Sequence, residues 1–571
     1  MGPGQILTRF AGRVALAVAF VLAVGSEPTA GQAAPTGHGK PAGASADPWF
    51  VAGQKAVAER ANREPRAGTA RNVILFLGDG MGLSTVTAAR ILEGQRQGAP
   101  GEEGALSFES LPVTGLVRVF NTDQQVPDSA GTMTAIMSGV KTRAGVLGVA
   151  SGVVPGDHRT VASNEVPTLL ELAEDRGFAT GLVTTARITH ATPAACYAHA
   201  PSRGWENDAT LSDAARRDGF PDLARQLVEF DHGDGIDVIL GGGRASFLGA
   251  NQADPEGGGQ TGARWDERDL AAEWLSGGTG RAIAWTAGQM LAQDAPGTRQ
   301  ILGLFEPSHM KFEADRATDI GGEPSLSQMT EFAIRRLSGA GRGYVLVVEG
   351  GRIDHGHHAN NAYRALDETI EFSNAIEVAR QKTDPAETLI VVTADHGHPF
   401  TMSGYATRGN PILGLVHEND FEAGAAPRKT PVPDGLGVPF ATLGYAVGPG
   451  HHAPTDQQVE GNKRFPHEPM RMGLPSAGRP RLTSTDVDHP DHLQQATVPR
   501  YSGVHSGEDV AVWAGGPGEQ FFSGSLDQSV LFHGMVRALG WHDAPPAGAT
   551  PTPEPGPPAP DDASAPEAAA E

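Results

Sequence analysis

A single cysteine, Cys196, stands in a chain of 571 residues, and without a second thiol no internal disulfide can close. Stability in an oxidising compartment must then come from core size and bound ions. Long apolar runs are missing as well. The run Val14–Val24 (VALAVAFVLAV) has eleven residues, well short of the roughly 20 that span a bilayer. No later stretch is longer, so no transmembrane helix is expected. Clustered positive charge is the third absence. Lys and Arg number 44 against 67 Asp and Glu, for a formal charge of -23, and no basic run or stripe offers a nucleic-acid-binding surface. Charged residues make up only 19% and apolar residues 39%, which excludes a wholly disordered chain.

What is present begins with an address. Arg9 and Arg13 precede the eleven apolar residues, and GSEPTAGQAAP follows them. A charged start, a short apolar middle and a small-residue exit predict a secretory signal over residues 1–33 and a protein exported to the periplasm or beyond the cell. Residues 34–66 read as a linker ending in a stretch of helical spacing. Residues 543–571, all Pro, Ala, Gly, Ser, Thr and acid, have nothing to bury and read as a disordered tail.

Between these ends, short apolar runs (NVILFLGD, FATGLVTTA, DVILGGG, GYVLVVEGG, TLIVVTADHG, VAVWAGG) alternate with amphipathic stretches such as VPTLLELAEDRG and QMTEFAIRRLS. This rhythm predicts an α/β fold over residues 67–542, with a mostly parallel central sheet and helices on both faces. Residues from about 401 to 500 break it with Pro, Gly and His, and read as an inserted lobe.

In open α/β sheets chemistry gathers beyond the carboxyl ends of the strands. There stand Asp79 after VILFLG, Glu349 after YVLVV, and Asp395 with His396 after TLIVVTA. A lone Gly-Asp-Gly is ordinary turn chemistry; three strand-end acids, one joined to a histidine, are not. In EGGRIDHGHH, a helix from Arg352 places Asp354 and His358 four apart on one face, a chelating pair, and turns His355 and His357 elsewhere. Mixed Asp and His donors suit zinc, and the oxygen set of Asp79, Glu349 and a hydroxyl suits magnesium. In PDSAGTMTAIMSGVKT, Ser129 falls in the first turn of a helix, where free N–H groups favour an anion. Alone it reads as a cap; beside a metal ion it becomes a candidate nucleophile. ITHATPAACYAHAPSR adds His190, the neutral donor Thr192, and Arg203, whose planar fork matches two phosphate oxygens.

Taken together, NVILFLGDGMG, DSAGT, VEGGRIDHGHH, TADHGH and HSGEDV resemble, in order, the motifs of the alkaline phosphatase family over nearly all of residues 70–540. The resemblance implies a phosphomonoesterase in which Ser129 is phosphorylated and Arg203 binds the phosphate. It implies one zinc on Asp354, His358 and His505, a second on Asp79, Asp395 and His396, and a magnesium on Asp79, Thr192 and Glu349. His190 and His355 resemble the animal-type and some marine bacterial branches, where they act on waters around magnesium and near the phosphate. A fourth ion, calcium or magnesium, is implied at Glu256, Phe305, Glu306 and Glu323. The inserted lobe resembles the crown of animal-type enzymes but departs widely from it over about 451–495, and the family resemblance as a whole implies a homodimer. A sulfatase is disfavoured by the lack of a Cys or Ser followed by x-Pro-x-Arg. A diesterase is disfavoured by the serine nucleophile with a full magnesium set. A phosphate or metal scavenger would not need both Ser129 and Arg203, and a structural surface protein would not bury so many charges.

Overall fold

The computed structural model describes residues 68–541, apart from 294–298, 423, 425, 435–436 and 452–480, together with Gln54, Lys55 and Val57. The chain divides into two compact units, Met1–Glu64 and Pro65–Glu571. In the first unit only the three residues just named are described, all helical. The expected signal, most of the linker and the tail lie outside the described residues.

Fifteen strands are described: β1 (Asn72–Gly78), β2 (Val113–Arg118), β3 (Ala179–Arg187), β4 (Val238–Gly242), β5 (Arg281–Ala284), β6 (Gln300–Leu304), β7 (Tyr344–Gly350), β8 (Thr388–Ala394), β9 (Phe400–Met402), β10 (Asn419–Asp420), β11 (Ala426–Pro427), β12 (Leu443–Gly448), β13 (Ala496–Pro499), β14 (Val510–Gly515) and β15 (Gly524–Asp527). Ten of them form one sheet in the order β15-β2-β14-β8-β1-β7-β3-β4-β6-β5. Every residue of β1, β7 and β8 is buried. Such unbroken apolar runs are stable only with cover on both faces, which rules out a half-solvated alternating strand. Helices Leu326–Gly339 and Ala362–Lys382 supply part of that cover, packing on each other and on β7.

The expected α/β architecture is present, with two additions. The short strands β2, β5, β6 and β15 extend the sheet on its two sides, with β15 and β5 at the edges. And β14 runs antiparallel to both β8 and β2, alone among the ten. Its reversal brings the residues before its amino end to the edge where the other strands finish.

The region of the predicted lobe makes a separate three-stranded sheet, β13-β12-β9, and a two-stranded one, β10-β11. It has a small core of Leu415, Ala441, Leu482 and Val487, and is pinned to the main body by Tyr445, whose hydroxyl lies 2.8 Å from His357 Nδ1.

Beneath the sheet edge, His199 ties two loops to the helix Leu169–Glu174. Its Nδ1 donates to the Gly148 carbonyl at 2.6 Å and its Nε2 to Glu171 at 2.8 Å. Glu171 also closes a capping box with Thr168. Burial pulls the imidazole pKa down, but the Glu171 carboxylate more than offsets it and raises it to about 8. A histidine raised in the folded state stabilises below its ordinary value and loses that contribution as pH rises through about 8. Denaturation at pH 6 and pH 9 is therefore expected to show a fall in stability that His199→Gln reduces by up to about 2 kcal/mol.

Candidate active site

Strand register alone brings three acids together. Gly78 at the end of β1 is level with Gly350 of β7 and with Ala394 of β8, and Leu77 is level with Glu349. Asp79 and Asp395 each follow by one residue, so period-two alternation turns Asp79, Glu349 and Asp395 to one side. All three are fully buried. Burial, then the neighbouring acids Asp395, Asp354 and Glu349, holds the Asp79 carboxyl well above the usual range. Burial raises Glu349 to about 8 against the pull of its Thr184 hydrogen bond, and raises Asp395 to about 6. Both carboxylate oxygens of Asp79, Glu349 Oε1 and Thr192 Oγ1 are buried without a hydrogen-bond partner. Mutually repelling acids with orphaned oxygens are costly unless a cation joins them. One donor atom each from Asp79, His190 and Glu349 lie within 4.8 Å of one another, as do those of Asp79, Asp395 and His396.

A second cluster adjoins. The helix Arg352–His358 stacks Asp354 and His358 one turn apart, with His358 Nε2 at 3.2 Å from Asp354 Oδ2. His505, delivered by the reversed β14, puts its Nε2 at 3.1 Å from His358 Nε2 and 3.6 Å from Asp354 Oδ1. The outer nitrogens fix the tautomers. His358 Nδ1 faces the Gly503 carbonyl at 2.6 Å and His505 Nδ1 the Pro127 carbonyl at 2.8 Å. A carbonyl only accepts, so each Nδ1 carries the proton and each Nε2 keeps its lone pair for a cation. Two lone pairs facing each other across 3.1 Å beside a carboxylate fit a divalent ion of the zinc type.

His398 is a residue the sequence reading passed over. Its Nε2 donates to Asp354 Oδ1 at 2.6 Å, so it orients that carboxylate. Its position two residues beyond His396 in DHGH was the available signal, since the same side recurs at that spacing in extended chain. His357 does point elsewhere, bonded to Thr85 and Tyr445.

Ser129 is the first residue of the helix Ser129–Ser138, and the cap is Asp128, whose carboxylate accepts from the Gly131 N–H at 3.1 Å. The serine hydroxyl is thereby released from capping. It sits 3.2 Å from His396 Nε2, whose ring is also within 3.4 Å of Asp79 and 3.3 Å of Asp395. Arg203 approaches the same point, with Nη1 at 3.1 Å from Asp128 Oδ2 and Nη2 at 3.2 Å from His190 Nε2. Burial, then the Arg203 charge, keeps His190 neutral. His355 accepts from Arg352 Nη1 at 3.1 Å. Between His190 and His355 stands His309, with ring centroids 5.2 and 4.2 Å away. As an isolated histidine in a loop, it left no trace in the sequence pattern.

The proposed fourth set is brought together only in part. Donor atoms of Glu256, Glu306 and Asp319 lie within 4.8 Å of one another, beside the buried Phe305. Glu323 is not among them, a correction to the sequence reading. Its carboxylate is taken by the Lys311 N–H at 3.0 and 3.2 Å, while its own N–H donates to Asp319 at 2.9 Å.

Gly80 holds the two clusters together. At φ 70° its N–H donates to Asp395 Oδ1 at 3.1 Å, and an added Cβ would stand 2.9 Å from the His398 ring and 3.0 Å from Asp354 Cα. Gly80→Ala is expected to weaken metal retention about ten- to a hundredfold, read by equilibrium dialysis, with far-ultraviolet circular dichroism unchanged.

The tissue-nonspecific alkaline phosphatase of Gallus gallus is 42% identical over 475 residues, covering 82% of this chain and 84% of its own. The alkaline phosphatase of Gadus morhua is 40% identical over 474 residues, covering 82% and 91%. Among solved structures, Thermus thermophilus alkaline phosphatase matches with a TM-score of 0.57 at 26% identity, over 84% of this chain and 93% of that one. The enzyme from the Antarctic bacterium TAB5, at 24% identity and a TM-score of 0.53 over 83% and 99%, shares the fold. The description of the alkaline phosphatase family matches residues 70–541, and with these relatives it shows that the chain belongs to that family, whose members hydrolyse phosphate monoesters.

Proposed function

We propose that this chain is an exported alkaline phosphatase working through a phosphoserine on Ser129 with two zinc ions and one magnesium ion. The observation that carries the reading is Ser129 Oγ, freed from capping by Asp128 and set 3.2 Å from His396 at the edge of the acid and imidazole cage. Asp354, His358 and His505 would hold one zinc, Asp79, Asp395 and His396 the other, and Asp79, Thr192 and Glu349 the magnesium. Ions bound there would lower the pKa of a neighbouring hydroxyl or water, from 15.7 for bulk water to roughly 7, and neutralise developing charge.

The chain's own groups do the rest. Ser129 Oγ attacks phosphorus and the ester oxygen leaves on the opposite side. Water then attacks the phosphoserine, returning the serine hydroxyl and releasing inorganic phosphate. The helix N-terminus and Arg203 face the equatorial oxygens, where negative charge concentrates. Asp128 steers Arg203 while it caps the helix. His190, neutral, accepts from the other arm of the same guanidinium, and His355 and His309 pack beside it.

The signal-like segment with its run Val14–Val24 supports export. The exposed Tyr405 and Phe421 on the lobe, at 88% and 81%, support a homodimer formed through it. The carboxylate group at Glu256, Glu306 and Asp319 supports a fourth, oxygen-liganded ion.

Ser129→Ala is expected to cut turnover of an aryl phosphate by at least on the order of a thousandfold while zinc and magnesium content, by elemental analysis, stays that of the parent. Metal lost together with activity would instead make Ser129 a structural residue. Chelation is expected to abolish activity and to lower the melting temperature by several degrees, because ions held only by the folded chain stabilise it. Unchanged melting in excess chelator would rule out the multi-ion cage.

A further inference from the structure

A groove of about 710 Å³ opens at the carboxyl end of the helix that begins with Ser129. Phe521, Phe532 and Trp541 line it, with Arg176, His533 and Arg537. No acidic residue is among its lining side chains, in a chain of net charge -23. Trp541 is held firmly on its rim, its ring 5.0 Å from Phe178 at 83° and 5.1 Å from the Arg176 guanidinium. The next residues, 542–571, contain nine prolines, six acids and neither Lys nor Arg.

We propose that the C-terminal segment 542–571 of the same molecule docks in this groove, its prolines against the three aromatic rings and its carboxylates toward Arg176 and Arg537. Proline-rich chain favours an extended polyproline helix before it binds, so docking on aromatic side chains costs it little conformational entropy. At about 3.1 Å per residue such a chain, starting at the rim, reaches every part of the groove. The tether also holds it at an effective concentration of roughly millimolar, so a weak site suffices. Signs match as well: an acid-only segment meets a groove with two arginines and no carboxylate. The stretch 34–67, with Lys40, Lys55, Arg60, Arg63 and Arg66 against Asp47, Glu59 and Glu64, has mixed charge and offers no such match.

The test uses the full chain carrying Thr552→Cys, labelled with an environment-sensitive thiol dye such as acrylodan. Cys196 is fully buried and its thiol is pushed well up by burial, so the new thiol alone reacts under native conditions. The expected result is emission blue-shifted from that of the equivalently labelled peptide 543–571 free in buffer, independent of protein concentration. The shift should be lost on adding Arg176→Glu and Arg537→Glu, with aryl phosphate hydrolysis retained as the check on folding. Emission equal to that of the free peptide in the otherwise unaltered chain overturns the proposal, whatever the double variant does. A shift that grows with protein concentration also overturns it, because the groove would then take the tail of a second copy.

Discussion

Everything at the catalytic edge depends on one electrostatic constraint: buried acids and imidazole lone pairs are aimed at one another with too few protons between them. Burial first, and neighbouring carboxylates after it, raise the pKa of Asp79, Glu349 and Asp395. His358 and His505 face nitrogen to nitrogen, their protons committed to backbone carbonyls on the far side. Such an arrangement is unfavourable by itself and favourable around divalent cations. The protein supplies the rigidity that keeps the donors from turning away. The core strands β1, β7 and β8 are buried along their whole length, and Gly80 admits the second cluster against the first.

The same constraint explains the division of labour around Ser129. A serine at the start of a helix ordinarily accepts a backbone N–H. Here Asp128 takes that duty one residue earlier and pairs with Arg203 at the same time. A carboxylate thus positions Arg203 and leaves the neighbouring hydroxyl to face His396. The position of His505 has a similar economy. Strand β14 runs against its neighbours, so a residue before its amino end arrives where the others deliver theirs.

Much of this was legible in the chain. The runs that became β1, β3, β4, β7, β8 and β14 were readable because fully buried strands need continuous apolar residues, and Asp79, Glu349 and Asp395 were readable because each interrupts such a run at its end. The Asp354 and His358 pair followed from helical period. Strands β2, β5 and β15 were not legible, since partial exposure dilutes the apolar signal, and β6, though buried, is only five residues long and broken by Gly303. His309 was missed for a related reason: a histidine in a loop has no periodicity to mark it. Glu323 lies outside the carboxylate group, where Asp319 stands instead, and its carboxylate accepts from the Lys311 backbone.

By itself, the sequence determined the sheet's central strands, the acids at their ends, the helical chelating pair and the motifs of the family, because these are local patterns imposed by burial and backbone period. Only the tertiary structure decided which nitrogen of each imidazole faces inward, that β14 reverses, and that an acid-free aromatic groove lies where the chain passes residue 541. Those facts depend on partners distant in sequence, such as Gly503 for His358 and Pro127 for His505, and no local pattern encodes a contact between segments hundreds of residues apart.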